Sequence, residues 1–305
     1  MDKLRALKYF VKVADTLSFT EAAKAYDVPA SSISRRISEL ETSIGTVLLH
    51  RTTRTVSLTE AGKTYLTQVR SGLAQLAAAD ELIGDLGGKP SGTLRISCMP
   101  GYGRVKLMPV LQDFSERYPG ILLDVHLSDE LEDLGGDQFD IVIRGGAQPE
   151  SRVISRRLDP NHFILAASPA YLAAHGRPNT LEDLASHFAL LYRGPSSVLK
   201  WVGFNGEDWI SPAVTPAFIS NDGASLLAMA CRHRGMVLLP EWSLRDYLQS
   251  EELVAVDLDH PISVTRSDQI GIFMTYLQSR YQIPKTRLAV DYIYERLAQA
   301  DQAPA

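Results

Sequence analysis

Ser31, Arg35, Ser38 and Thr42 recur at steps of three and four, so on a helix turning about 100° per residue they share one face. A face that is small, hydroxylated and basic suits close approach to a polyanion. Arginine forks onto guanine or onto phosphate, and serine bonds either bases or phosphates. Ser32, Ser34 and Arg36 flank this face, while Ile33, Ile37, Leu40 and Ile44 form the opposite, apolar stripe that such a helix buries. Two acid-free stretches, 30–38 and 42–59, gather Arg35, Arg36, His50, Arg51 and Arg54 in a short length of chain. The same helix face also has a plain reading as a solvated surface, so its neighbours must decide.

A second constellation lies further on, where strand-like runs hand over to helical ones. Ser97-Cys98-Met99-Pro100-Gly101-Tyr102-Gly103 and Ser220-Asn221-Asp222-Gly223 both sit at such handovers, and unpaired N–H groups at helix starts beyond strand ends attract carboxylates and hydroxyls. Asp222 has two readings, a helix N-cap or a partner for a cationic or donor-rich group, so the charge of a ligand stays open. Cys98 would need a thiol nearby to act as a redox sensor, and Cys231, 133 residues on, gives no sign of one.

The elements that position the first constellation are legible. Leu4, Leu7, Phe10, Val11 and Ala14 mark an amphipathic helix. Thr20 is a candidate N-cap for a short helix ending near Tyr26-Asp27, and Pro29 closes the turn before the helix that carries Arg35. A short helix, a tight connection and a second helix with a small basic face is the helix-turn-helix plan. Val47 to Leu58 reads as two short strands around a Thr/Arg tip, a wing that would lay Arg54, beside Thr53, in a minor groove and Arg51 on a phosphate. From Thr59 to Gly88 runs a long helix with Leu66, Val69, Leu73, Leu76, Ala79, Ile83 and Leu86 on one seam, which suggests pairing with a second copy.

Gly87-Gly88-Lys89-Pro90-Ser91-Gly92 is the clearest linker. Beyond it, strands expected at 93–97, 121–127, 139–143, 163–167, 188–191, 213–219, 236–239 and 270–276 alternate with helices near 105–117, from Asp222 and near 285–297. That alternation implies an α/β fold with largely parallel sheets.

Composition sets the outer limits. The chain has 305 residues, 45% apolar and 22% charged, which fits a globular protein of more than one folded unit. Residues 1–90 carry a formal charge of +2 and the rest −7, within the net −5, so bulk charge alone does not argue for nucleic acid. The longest apolar runs, such as Leu226 to Cys231, are far too short to cross a bilayer, and the N-terminus lacks the block structure of a secretory signal. Cytoplasm is the expected compartment, and no metal spacing is present. An enzyme reading finds no Gly-x-Ser-x-Gly elbow, P-loop, dinucleotide fingerprint or His-Glu-x-x-His, so no catalytic residue is expected. A purely solute-binding protein is the remaining alternative, against which the N-terminal helices count.

Taken together, several stretches resemble the LysR-type transcriptional regulators of bacteria: Leu7-Lys8-Tyr9-Phe10, Ser18-Phe19-Thr20-Glu21-Ala22-Ala23, Ser31-Ser32-Ile33-Ser34-Arg35, Leu49-His50-Arg51-Thr52-Thr53-Arg54 and Leu58-Thr59-Glu60-Ala61-Gly62. Ala167-Ser168-Pro169-Ala170-Tyr171-Leu172 and Gly235-Met236-Val237-Leu238-Leu239-Pro240 are similar to that family's regulatory domain. The resemblance implies a winged helix-turn-helix over 1–58, a dimerising linker helix over 59–88, and an effector domain over 92–305 that resembles periplasmic binding proteins. Lobe one would hold 92–161 and 266–300, lobe two 162–265, with hinges near Asp159 to His162 and Thr265 to Ile270.

On that resemblance Ser31, Ser32, Ser34, Arg35, Arg36, Ser38, Arg51, Thr53 and Arg54 would meet DNA. The two helix starts would border one cleft with Ser128, Arg144, His162 and Tyr192. Effector contacts would then fall to Ser97, Cys98, Met99, Gly101, Tyr102, Asn221 and Asp222 as well. Arg144 is equally read as an ion-pair partner and His162 as a core or hinge residue. Expected partners are double-stranded DNA, a small-molecule effector, further copies of the chain as a homodimer assembling to a homotetramer, and RNA polymerase as an additional candidate. No cofactor or membrane is expected. The sequence departs from the family at Ala30-Ser31, where members commonly carry Gln-Pro. That shifts the expected base reading toward Ser31, Ser34 and Arg35.

Overall fold

In a computed structural model the described residues are 2–51, 56–84, 90–130, 139–149, 153–266 and 270–298, with the backbone alone at 74, 77, 78 and 80–84. The chain divides into two compact units, one built on Met1–Gly88 and the other on Lys89–Glu132 with Phe139–Ala305.

The first unit opens with α1 (Lys3–Thr16), α2 (Phe19–Tyr26) and α3 (Ala30–Ile44), which end at Leu17, Asp27 and Gly45 in the left-handed region. Ser18, rather than Thr20, caps α2: its Oγ accepts from the Glu21 N–H at 3.2 Å. A serine three residues ahead of a glutamate satisfies an amide that the helix itself leaves orphaned, and Thr20 falls inside the first turn. Tyr9, Phe10, Val13, Ile33, Ile37, Leu40, Leu48 and Leu49 are fully buried together, each contributing about 1.5–3 kcal/mol of burial. β1 (Leu49–Arg51) pairs antiparallel with β2 (Val56–Leu58), Leu49 opposite Leu58. The tip between them, with Thr53 and Arg54, lies outside the described residues.

α4 (Glu60–Gly84) follows. A Cβ at Gly62 would stand 2.1 Å from the Leu48 carbonyl oxygen, so only glycine lets α4 start this close to the hairpin. Leu66 and Val69 are buried, whereas Leu76 is 54% exposed. Ala79 is exposed as well. The side chain of Ile83, and Leu86 altogether, lie outside what the structure describes.

The second unit begins with β3 (Gly92–Cys98), the short α5 (Pro100–Tyr102), a π-turn over Gly103–Leu107, α6 (Met108–Arg117), β4 (Ile121–Leu127), β5 (Ile141–Ala147) and β6 (Ile154–Asp159). It continues with β7 (Phe163–Ala167), α7 (Pro169–His175), β8 (Phe188–Tyr192), β9 (Val202–Phe204), β10 (Trp209–Ile210), β11 (Thr215–Ser220), α8 (Gly223–Cys231), β12 (Met236–Pro240) and α9 (Glu241–Gln249). β13 (Val254–Ala255), β14 (Ile262–Ser263), β15 (Ile270–Tyr276), α10 (Gln278–Tyr281) and α11 (Pro284–Ala298) complete it.

Two five-stranded sheets result, in the orders β4-β3-β5-β15-β6 and β11-β8-β12-β7-β13, beside a small β10-β9-β14 sheet. The expected parallel character is modified by one reversed strand in each large sheet. β15 runs antiparallel to β5 and β6, and β7 antiparallel to β12 and β13. β7 brings the chain over from β6 of the first sheet, and β15 brings it back by way of β14 of the small sheet; an arriving strand is free of the right-handed β-α-β crossover that forces parallel pairing.

Period-two burial sets the packing. Leu165, Ala167, Ala189, Leu191, Met236 and Leu238 face one core of the second sheet, while Ala166, Leu190, Val237 and Leu239 face the other with α8 and α9. A sheet covered on both faces reads as continuous apolar runs, as 163–167 and 236–240 do. The first sheet packs Leu94, Ile96, Ile141 and Ile143 against Leu111 and Phe114 of α6 and Val290 and Ile293 of α11.

Candidate nucleic-acid interface and interlobe site

α3 owes its orientation to Ile33, Ile37 and Leu40, all at 0% exposure. Their burial turns the other face outward: Ser31 and Arg35 are exposed, and Ser32, Ser34, Arg36 and Ser38 half-buried. The Arg35 side chain is 77% exposed and its Nε lies 3.6 Å from Glu39 Oε1, a loose pair in high dielectric that contributes little.

Arg51 is held differently. Its Nη1 donates to Ser34 Oγ at 3.2 Å and Ser38 Oγ at 3.0 Å, and its Nη2 to Glu41 Oε2 at 2.6 Å. Glu41 Oε1 in turn accepts from the Leu48 and Leu49 N–H groups at 2.9 and 3.2 Å. Composition alone gave no hint that Glu41 holds this network.

In the second unit, Ser97 is buried and its Oγ accepts from Arg144 Nη2 at 2.7 Å. Arg144 also donates to the Ile143 and Glu130 carbonyls, so it stitches the ends of β3, β4 and β5 together. Ser128 follows β4: its N–H donates to the Cys98 carbonyl at 3.0 Å and its Oγ accepts from the Glu130 N–H.

Cys98 and Tyr102 belong to the core of the first sheet. Burial first of all, opposed by Arg144, pushes the Cys98 thiol up to about 12, which leaves it unreactive at neutral pH. The Tyr102 ring meets Trp242 edge-on, centroids 5.2 Å apart. Trp242 also limits Gly101, where a Cβ would stand 3.2 Å from its ring. Met99 is the residue before α5, and its N–H donates to the Ile143 carbonyl at 3.3 Å.

On the second sheet, Asp222 caps α8: its Oδ2 accepts from the Ser225 N–H at 3.0 Å and the Ser225 hydroxyl at 2.7 Å. The Ser225 hydroxyl first, then the Ser225 amide and Arg104, hold its carboxyl below the ordinary range against the effect of burial. Asn221 is exposed beside it. The Tyr192 hydroxyl donates to Asp129 Oδ2 at 2.7 Å, and burial together with that carboxylate raises its pKa. His162 is exposed, and its carbonyl accepts from the Glu241 N–H at 2.8 Å. Next to it Asn161 adopts φ 57° and accepts from Trp242 Nε1 at 3.1 Å. Of the second expected hinge, residues 267–269 lie outside the described residues.

Thus Ser97, Ser128 and Arg144 converge at the ends of the first sheet, and Tyr192, Asn221 and Asp222 at the ends of the second. Arg104 and Asp129 bridge the two groups, Arg104 Nη2 donating to Asp222 Oδ1 at 2.7 Å. Neither was foreseen, because their partners lie far away in sequence.

Residues 4–63 match the family model of bacterial regulatory helix-turn-helix proteins of the lysR family, and residues 87–298 match the LysR substrate binding domain. The chain is a member of the LysR family of transcriptional regulators. As a LysR-type regulator it binds DNA through its helix-turn-helix, is modulated by a small-molecule effector in its substrate-binding domain, and is not an enzyme. It is 33% identical to the uncharacterized HTH-type regulator YhjC of Escherichia coli (strain K12) over 96% of this chain and 97% of that one. It is 31% identical to the HTH-type regulator CrgA of Neisseria meningitidis serogroup C (strain 8013) over 95% and 96%. Full-length AphB, a virulence activator of Vibrio cholerae, aligns at TM-score 0.61 and 30% identity over 96% of this chain and 99% of its own. CrgA aligns at TM-score 0.56 and 28% identity over 94% and 98%. This LysR-type chain has no helix, among the described residues, long and apolar enough to cross a membrane.

Proposed function

We propose that residues 1–58 bind operator DNA, that 59–88 pair two copies of the chain, and that 92–305 hold the effector between lobe one (92–161 and 266–300) and lobe two (162–265). In this reading Ser31, Ser34 and Arg35 do most of the base reading, Ser32, Arg36 and Ser38 meet bases or phosphates beside them, and Arg54, next to Thr53, enters the minor groove. The observation that carries it is the outward face of α3, where Arg35 and Ser31 are exposed opposite a fully buried stripe. An exposed guanidinium, held only by a loose pair with Glu39, among small hydroxyls is the chemistry of direct major-groove readout.

The effector would sit against Ser97, Ser128, Arg144, Tyr192, Asn221 and Asp222, a mixed set of donors and one carboxylate that suits a small polar metabolite. The exposed Leu76 and Ala79 on α4 support pairing with a second copy, and a homodimer of such dimers is the assembly this predicts. Cytoplasmic placement follows from the DNA partner, and RNA polymerase is the further partner a promoter-bound activator would meet.

Selection of a random duplex pool by the full-length chain tests the DNA reading, with enrichment of a two-fold-related sequence expected and no enrichment opposing it. Thermal unfolding of the same chain against organic acids, amines and neutral metabolites tests the effector reading. A ligand of the folded state at a hundred times its Kd stabilises by about 2.7 kcal/mol.

A further inference from the structure

Arg51 stands where a wing arginine would reach a phosphate, yet its guanidinium is committed within its own unit. It bonds Ser34, Ser38 and Glu41 at 3.2, 3.0 and 2.6 Å and lies 5.2 Å from the Phe19 ring. Its side chain is only 28% exposed, and that of Glu41 13%. The pair therefore joins three elements: α3 through Ser34, Ser38 and Glu41, the start of β1 through the Leu48 and Leu49 amides that bond Glu41, and the start of α2 through Phe19.

A charge-assisted and partly buried pair of this kind, with the other guanidinium nitrogen bonded to two serines, is held far more firmly than an exposed one. Moving Arg51 to a phosphate would leave the Glu41 carboxylate half-buried, without its cation, and facing a polyanion. The serines also gain a position. Each accepts an N–H from Arg51, which takes up one of its two lone pairs and fixes where its oxygen stands, leaving its O–H and the other lone pair for an outside partner. A serine hydroxyl on a helix in the major groove can meet a base edge as donor or as acceptor, so what Arg51 supplies to the two serines is their position.

We infer that Arg51, held by Glu41, is a positioning residue for DNA recognition: it fixes the Ser34 and Ser38 hydroxyls in place on α3 and makes no phosphate contact itself. The inference rests on the reading that α3 meets DNA. It goes beyond that reading by assigning a role to Glu41 and to the Arg51 that positions two serines.

The test compares full-length wild type, Arg51→Met, Arg51→Lys and Glu41→Gln on two 30-base-pair duplexes, one enriched by the wild-type chain from a random pool and one random. Each variant is first checked for a cooperative melt; Glu41→Gln, which keeps size and shape, serves where Arg51→Met folds poorly. The slope of log K against log salt on random DNA should stay at the wild-type value in Arg51→Met. The preference for the enriched duplex should fall about tenfold, with Glu41→Gln reproducing the loss. Arg51→Lys should not rescue it, because a single ammonium lacks the planar fork that spans the serines and the carboxylate.

A slope shallower by about 0.9 in Arg51→Met, restored by Arg51→Lys, would make Arg51 a phosphate contact and overturn the inference. So would an unchanged preference in all three variants. If the wild type enriches no sequence while binding random DNA, the reading that α3 discriminates bases falls first, and the inference with it.

Discussion

Arg104 Nη2 lies 2.7 Å from Asp222 Oδ1 although 118 residues separate them. Arg104 stands on the π-turn after β3, and Asp222 caps α8 on the second sheet, so the bond joins one lobe to the other. A π-turn widens the helix by one residue and re-aims the side chains on it, which carries Arg104 to this partner. The Tyr192 to Asp129 bond is a second crossing, and the edge-on contact of Tyr102 with Trp242 a third. They differ in strength. Arg104 and Asp222 are 51% and 39% exposed, the range in which an ion pair is worth about 0–1 kcal/mol, whereas Tyr102 and Trp242 are buried. The aromatic contact is the firmer part of the junction, and the ion pair the weaker.

Asp222 does two jobs that substitution can separate. Asp222→Asn keeps a good cap and removes the ion pair, with an expected loss of no more than about 1 kcal/mol. Asp222→Ala also removes the cap, with about 1 kcal/mol more lost. Its carboxyl titrates below its unfolded value, so its contribution is complete above about pH 4 and is lost as pH falls through the folded value. Calorimetric melts of wild type and Asp222→Asn should differ at neutral pH and converge in acid. A gap that widened on acidification would contradict this assignment.

Gly62 and Gly72 predict opposite signs for the same substitution. Both lie in α4, where alanine ordinarily stabilises by about 0.5–1 kcal/mol. A Cβ at Gly72 meets nothing within 4 Å, whereas one at Gly62 stands 2.1 Å from the Leu48 carbonyl oxygen. Gly72→Ala should raise the melting temperature of the first unit, and Gly62→Ala should lower it through a strain of about 1–3 kcal/mol. Equal shifts would mean that α4 does not approach the hairpin as described.

The helices of the first unit and the strands at 121–127, 163–167 and 270–276 were legible because each apolar pattern is bounded by turn residues. The reversed direction of β7 and β15 was not, since a strand's direction is set by where the chain comes from and leaves no mark on its residues. The π-turn was also hidden, because Val105 and Leu107 fit an ordinary helix equally well. Among site residues, Asp222 announced itself as a cap through Ser220-Asn221-Asp222-Gly223. Arg51 announced itself by charge, yet the Glu41 that engages it looked like any exposed acid after Leu40. Arg104 and Asp129 carried no local signal, for their roles come from partners that only the tertiary fold brings near.

His187 should make the second lobe sensitive to acid. It is buried, and the Tyr171 hydroxyl, which accepts from the Phe188 N–H at 2.9 Å, lies 3.3 Å from His187 Nδ1. In either tautomer the contact with Tyr171 ties down the His187 ring. Burial first, then His175, lower its pKa, against the pull of Asp183. The unfolded chain takes up the proton near pH 6.5, before the folded one does, so stability is full above that pH and falls below it, by at most about 1.4 kcal/mol per pH unit. Urea unfolding at pH 7.5 and 5.5 should show a smaller loss on acidification in His187→Gln than in wild type. Identical losses would remove His187 from the account.

The two cysteines should react in a fixed order. Cys98 is fully buried with its thiol pushed up to about 12, chiefly by burial, while Cys231 is half-buried near Glu252, its thiol raised as well. The thiolate is the reacting species, so neither reacts fast, but only Cys231 offers its sulfur to a reagent without unfolding. Iodoacetamide at pH 8 should modify Cys231 slowly in the native chain and reach Cys98 only when urea opens the first sheet. Mass mapping of the labelled peptides reads the order directly, and early labelling of Cys98 would mean that the end of β3 opens to solvent in the native state.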